Sequence, residues 1–235
     1  ILGNCTLLLM ILGLAATVVF QLCKEPMLYL FGATENTISY SMDYLNIYLY
    51  GSIFVELALG LNFFITSQGF STVGMASVII GAVVNIVLDP ILIFGLNMGV
   101  KGAALATITA QAVSAVWVVR FLCGRRTKLR IQRRLLRLDG KVLAPVLALG
   151  LSPFIMQSTE SLVNIAFNSS LKTYGGDPAV GAMTICSSIM QVFSLLFQGL
   201  SQGAQPIVGY NYGAGQHGRV KKILSLIHIS EPTRP

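Results

Sequence analysis

Six long apolar runs, separated by short polar or glycine-rich breaks, organise this chain. They fall at about 1–23, 40–66, 73–94, 103–123, 142–172 and 179–204, each near or above the roughly 20 residues that a helix needs to cross a bilayer. The breaks differ in character. The first, 24–39, holds Lys24, Glu25, Pro26 and a turn-like segment from Gly32 to Asn36. Short turns are expected at 68–72 and 174–178, and a tight connection at 95–102, where glycine, proline and asparagine interrupt the apolar pattern. Tyr40, Tyr44, Tyr48 and Tyr50 crowd the start of the second run, as aromatic residues do where a helix crosses the membrane interface. The pattern predicts an all-α, polytopic transmembrane helical bundle.

Composition agrees and excludes the soluble alternative. Hydrophobic residues make up 54% and charged residues 11% of the 235 positions, against roughly 25% charged in a soluble domain. The net charge of +7 invites a nucleic-acid reading, but its placement argues otherwise. Nine of the 16 Lys and Arg lie between Arg120 and Lys141. Connections after the second, fourth and sixth runs hold twelve basic residues; those after the first, third and fifth hold Lys24, Lys101 and Lys172 only. By the positive-inside bias the 120–141 loop is cytoplasmic, and the first run leads out of the cytoplasm. Cys5, Cys23, Cys123 and Cys186 lie in or beside apolar runs without a CxxC pair, so they read as small apolar residues rather than a disulfide or metal framework.

The ends carry expectations of their own. Ile1 opens inside a hydrophobic run with no Met and no basic segment, which reads as a truncated start; the orientation then calls for an even number of further spans upstream, two at the least. Residues 224–235, from Leu224 to Pro235, read as a non-native cloning or assembly tail, His228 and Glu231 included.

Three acids sit well inside the runs. Asp89 lies four residues after Asn85, on the same helix face, and Pro90 follows directly. That proline removes one backbone N–H and frees a carbonyl, which a membrane tolerates beside a polar cavity. Carboxylate, amide and loosened backbone suit Na⁺ or a proton, and Thr107 on the next run offers a hydroxyl. A structural cap or interhelical hydrogen bond is the competing reading. Gln157, Glu160, Ser161 and Asn164 share a face within the fifth run and suggest the wall of a wet cavity; helix-to-helix hydrogen bonding explains the amides less demandingly. Glu56 stands among Val55, Leu57 and Leu59, and both a cavity-facing role and pairing with another span stay open for it. The stretch from Gly209 to Gly215 follows no strand and lacks the Lys-Ser/Thr of a phosphate loop, so it reads as a turn at the end of a span.

Three motifs together, Asn85 to Gly95 (NIVLDPILIFG), Gly102 to Thr107 (GAALAT) and Gln202 to Gly215 (QGAQPIVGYNYGAG), resemble the multidrug and toxic compound extrusion (MATE) transporters, with the bacterial drug-efflux branch the nearest in pattern. The likeness covers about 1–223. It implies part of a two-lobe, twelve-span transporter: spans three to six over 1–124, a basic cytoplasmic inter-lobe loop over 125–141, and spans seven and eight over 142–223. It further implies an ion site for Na⁺ or H⁺ at Asn85, Asp89 and Thr107, and a functional acid at Glu160, with Gln157, Asn164 and Glu56 as further cavity or coupling candidates. The family's additional acid on span one has no counterpart in this chain. The implied activity is export of drugs or organic cations by cation-coupled antiport across a bacterial cytoplasmic (inner) membrane. No cofactor beyond the coupling ion, no enzymatic chemistry and no nucleic-acid partner are implied; the full-length protein is expected to be monomeric.

Two other functions compete. A lipid-linked oligosaccharide flippase of the same superfamily would favour basic residues in its cavity, whereas these runs carry acids and almost no internal Lys or Arg. A non-transporting membrane scaffold does not account for Asp89 and Glu160 inside the spans. A truncated chain without activity is the third expectation.

Overall fold

The computed structural model describes every residue except 32, 34, 36, 126, 128, 133–135 and 231–235, and describes only the backbone at 172, 177, 178, 180 and 226–230. Part of the turn-like 32–36 segment, four of the basic residues of the loop and the end of the 224–235 tail therefore lie outside the described residues.

Helices α1 (Leu2–Leu30), α2 (Ile38–Ser67), α3 (Ser71–Pro90) and α4 (Val100–Cys123) come first. A further helical stretch, Gly140–Gly213, leaves helical geometry at Gly176 (φ 65°, ψ −168°), a positive-φ backbone that glycine adopts without a Cβ penalty. Its membrane-length portions are α5 (Gly140–Leu171) and α6 (Gly181–Gly213), and α7 (His217–Ser230) follows. Among the described residues, six helices are long and apolar enough to cross a membrane, as the hydropathy pattern predicts. Hydropathy misplaces two boundaries. It ends the sixth span at 204 with a turn over Gly209–Gly215, but α6 continues through Pro206 to Gly213 and the turn is confined to 214–215. It also ends the first span at 23, but α1 continues through Pro26 to Leu30. Hydropathy marks where a helix leaves hydrocarbon, not where its hydrogen bonding stops. Past that point Lys24 Nζ donates to Gln21 Oε1 on its own helix and to Asn46 Oδ1 on α2.

Packing divides the chain into residues 1–156 and 157–235, a boundary inside α5. In the first unit α4 packs on α2 and α3, and α1 packs on α2. The α1–α2 seam is antiparallel and in regular register. Leu9 faces Gly60, Gly13 faces Glu56, and Thr17 meets Ser52, so each turn along α1 moves one turn back along α2. Leu2, Leu61, Ile65, Val118 and Leu122 form the apolar core at one end of this unit. Three described residues of the 125–141 loop lie against that same end. Ile131 packs on the core, the Leu129 N–H donates to Gln68 Oε1 at 3.0 Å, and the Asp139 N–H donates to Asn4 Oδ1 at 2.7 Å. Leu129, Ile131 and Asp139 of this connection are thus held against the helix ends.

At the opposite end Lys101 and Asp43 form an ion pair at 3.4 Å, both partly exposed. An exposed pair of this kind contributes about 0–1 kcal/mol. Lys101→Ala is therefore expected to lower thermal stability in detergent by a degree or two at low salt. In molar salt, where screening acts within about 3 Å, the difference should vanish.

Candidate functional site

Along α3 the positions Gly74, Ser77, Gly81, Asn85 and Asp89 recur every three or four residues and share one face. This face meets α2 and α4 around a cavity of about 210 Å³, whose polar walls come from Asn62 on α2, Ser77 and Asn85 on α3, and Thr107, Gln111 and Ser114 on α4. The small residues let the helices approach closely enough for a polar lattice to form. Asn62 Nδ2 donates to Ser77 Oγ (2.9 Å) and to the Gly74 carbonyl (3.1 Å), while Ser114 Oγ donates to the Ser77 carbonyl (2.9 Å). Ser77 and Ser114 are buried. The Thr107 hydroxyl donates back to the Ala103 carbonyl at 2.9 Å, leaving its oxygen lone pairs for an acceptor role.

Not every polar atom here finds a partner. Asn62 Oδ1, Asn85 Nδ2 and Asp89 Oδ1 are buried and unpaired. Each such group carries a penalty of about 1–3 kcal/mol, more for a charge, and a membrane supplies no water to relieve it from the lipid side. A cavity of this size admits several waters, which would pair Asn62 Oδ1 and Asn85 Nδ2; Asp89 lies one turn beyond the residues that line it. The cavity walls offer hydroxyl and amide oxygens, and the Asp89 carboxylate stands one turn further along α3; oxygen ligands of this kind suit a hard cation. Among the described residues no three of His, Cys, Asp and Glu come together.

Directly after Asp89 the helix changes its hydrogen-bonding pattern. Pro90 supplies no N–H, and the chain widens into a π-helical turn, Ile91–Gly95, in which the Leu96 N–H bonds the Ile91 carbonyl at 2.9 Å. Such turns absorb a backbone mismatch and recur at functional sites. Gly102 on α4 lies against this turn. A Cβ there would stand 2.8 Å from the Leu92 carbonyl carbon and oxygen and 3.0 Å from the Ile93 nitrogen. The two short motifs Asn85–Gly95 and Gly102–Thr107 are thus one packed object.

Asn85, Asp89 and Thr107, singled out in the sequence, lie on the facing helices α3 and α4; Asn85 and Thr107 line the cavity, and Asp89 sits one turn beyond Asn85. Glu56 is elsewhere, on the α1–α2 seam over Gly13. Gln157, Glu160 and Asn164 belong to the second unit, exposed along one face of α5, with Gln157 Nε2 donating to Glu160 Oε2 at 3.1 Å. Reading the sequence for in-span acids misses Asn62, Ser77, Gln111 and Ser114. Their signal is present as amides and hydroxyls inside apolar runs, but it is common to many structural hydrogen bonds.

Known proteins resemble this chain. The sequence profile of the family described as MatE matches residues 1–91 and 153–229. The chain is 27% identical over 221 residues to the multidrug export protein MepA of Staphylococcus haemolyticus and 26% identical over 219 residues to MepA of Staphylococcus aureus, covering 94% and 93% of this chain and 48% of each relative. The chain spans about half the length of the curated relatives it matches. Among solved structures, the MATE multidrug transporter DinF-BH is 40% identical with a TM-score of 0.86, over 96% of this chain and 50% of that one. An outward-facing MATE transporter at 23% identity and TM-score 0.85, over 94% of this chain and 49% of that one, shares the fold. With a family match over most of its length, six membrane-length helices and a polar cavity among them, this multi-pass membrane chain belongs to the MATE family of multidrug efflux transporters.

Proposed function

We propose that this chain supplies one ion site and part of the substrate pathway of a cation-coupled antiporter that exports drugs or organic cations by alternating access. The observation that carries the proposal is the buried, unpartnered Asp89 Oδ1, one helical turn beyond Asn85, which lines the polar cavity. Na⁺ or H⁺ at Asp89 neutralises the carboxylate, and Asn85 and Thr107 complete its surroundings. Because the π-helical turn begins two residues later, a change of charge at Asp89 acts on a segment already departing from α-helical geometry. That segment is where α3 bends as the cavity gives up its substrate.

Glu160, backed by Gln157 and in line with Asn164, offers the second polar surface. In the complete transporter carrying this segment, it contacts the cationic substrate or takes part in coupling. Domain roles follow: 1–124 as the closing part of one lobe, 125–141 as the cytoplasmic connection and 142–223 as the opening part of the other. The acids and amides along these helices, with almost no basic residue among them, favour a cationic substrate over the pyrophosphate of a flippase.

The test is dye efflux from membrane vesicles carrying the complete transporter, driven either by an imposed Na⁺ gradient or by an imposed pH gradient. Efflux under one gradient and not the other identifies the coupling ion. Equal efflux with both gradients collapsed refutes ion coupling. Glu160→Gln is expected to raise the dye concentration needed for half-maximal efflux by roughly tenfold, the equivalent of about 1.4 kcal/mol.

A further inference from the structure

The polar network of the α1–α2 seam is separate from the Asp89 cavity. Glu56 lies eleven residues before Ser67 at the end of α2, and Gly13 eleven residues after Leu2 at the start of α1. At about 1.5 Å per residue both stand about 17 Å in, near the middle of a hydrocarbon core of about 30 Å. There Glu56 Oε2 is buried without a partner. It rests on Gly13, where a Cβ would approach it to 2.8 Å.

One turn further, Thr17 Oγ1 stands 2.8 Å from Ser52 Oγ, 2.8 Å from the Gly13 carbonyl and 3.1 Å from the Leu49 carbonyl. Ser52 Oγ also donates to the Leu49 carbonyl at 2.9 Å. A carboxylate, two hydroxyls and two carbonyls therefore gather along about one helical turn of the seam, all oxygen donors. Among the described residues no counter-charge faces them. On α1 the nearest charge is Lys24, eleven residues beyond Gly13 and engaged with Gln21 and Asn46. The other charged side chains of α2, α3 and α4 are Asp43, Asp89, Lys101 and Arg120, and Asp43 and Lys101 pair with each other. A carboxylate at the bilayer centre without a partner is costly, and a bound cation removes that cost.

We propose that Glu56, Thr17, Ser52 and the Gly13 carbonyl form a second monovalent-cation site, for H⁺ or Na⁺, distinct from the one assigned to Asp89. Gly13 is what opens it: any side chain at that position would push the carboxylate out of the seam. The site ties cation occupancy to the fit of α1 against α2. It stands whether or not Asp89 couples transport.

Infrared difference spectroscopy on the membrane-reconstituted protein tests this, with pH and Na⁺ varied in separate arms. A carboxyl signal is expected that Glu56→Gln removes and Asp89→Asn leaves in place. Titration by pH and indifference to Na⁺ identify a proton; displacement on adding Na⁺, but not the larger cation of choline chloride, identifies Na⁺. Gly13→Ala, which keeps every charge, is expected to shift the midpoint of that response by tenfold or more, and this variant carries the test should Glu56→Gln fail to fold. A Glu56 signal that responds to neither cation, or a midpoint unmoved by Gly13→Ala, overturns the proposal, and neither result bears on Asp89.

Discussion

Asp89→Asn is expected to bring ion-driven efflux to the background of empty vesicles while protein yield and thermal stability hold. Asn is close to Asp in volume and keeps an oxygen at the same place, so the packing of α3 against α4 survives. What disappears is the charge that a coupling cation neutralises. One elementary charge crossing 100 mV is worth about 2.3 kcal/mol, or roughly a 50-fold substrate gradient, and the variant forfeits that whole driving term. The measurement is initial efflux rate and final accumulation ratio in vesicles of the complete transporter, beside thermal unfolding of the purified variant. Thr107→Val and Asn85→Ala should fall between the variant and the wild type, because each removes one neutral donor or acceptor worth about 0.5–1.5 kcal/mol. Full ion-driven efflux by Asp89→Asn would falsify the assignment of the ion site.

Gly102→Ala carries the second large effect, and on stability. In an ordinary helix interior, replacing Gly by Ala stabilises by about 0.5–1 kcal/mol. Here the added methyl meets the Leu92 carbonyl at 2.8 Å, and the obstacle is backbone, which cannot rotate aside. Overpacking of this kind costs about 1–3 kcal/mol, so the steric term wins and the sign reverses. The variant should unfold several degrees below wild type in detergent and lose activity with the distortion of the π-helical turn next to Asp89. Gly150→Ala is the matched control. Nothing lies within 4 Å of a Cβ at Gly150, so it should leave the unfolding temperature unchanged or raise it slightly. Equal behaviour of the two variants would mean that α4 does not bear on the turn.

How far the site can be read without coordinates depends on the kind of residue. In-span acids stand out because a charge in hydrocarbon is expensive enough to demand a reason, and Asp89 with Asn85 four residues earlier declares a shared face by helical spacing alone. Ser77 and Ser114 declare nothing, since a serine inside an apolar run readily satisfies itself on its own helix carbonyls. Only the approach of α3 to α4, permitted by Gly81, makes the Ser114 hydroxyl reach the Ser77 carbonyl across the interface. Glu56 shows the opposite case. Its spacing offers no companion on α2 beyond Ser52, and Gly13 and Thr17 lie on another helix more than thirty positions away in the chain.

The membrane class, the six spans and the family follow from local quantities: hydropathy over about 20 residues and three short motifs. Each is a property of a segment facing lipid or water, and the bilayer reads segments one at a time. The register of α1 on α2, the cavity between α2, α3 and α4, the contacts of Leu129, Ile131 and Asp139 with the helix ends and the partnerless oxygens of Glu56 and Asp89 are different in kind. They depend on which faces of separate helices meet, and inside a membrane that is set by close packing of small residues and interhelical hydrogen bonds rather than by hydrophobicity. Lipid is as apolar as the helices themselves, so hydropathy says where a helix is and is silent on what it touches.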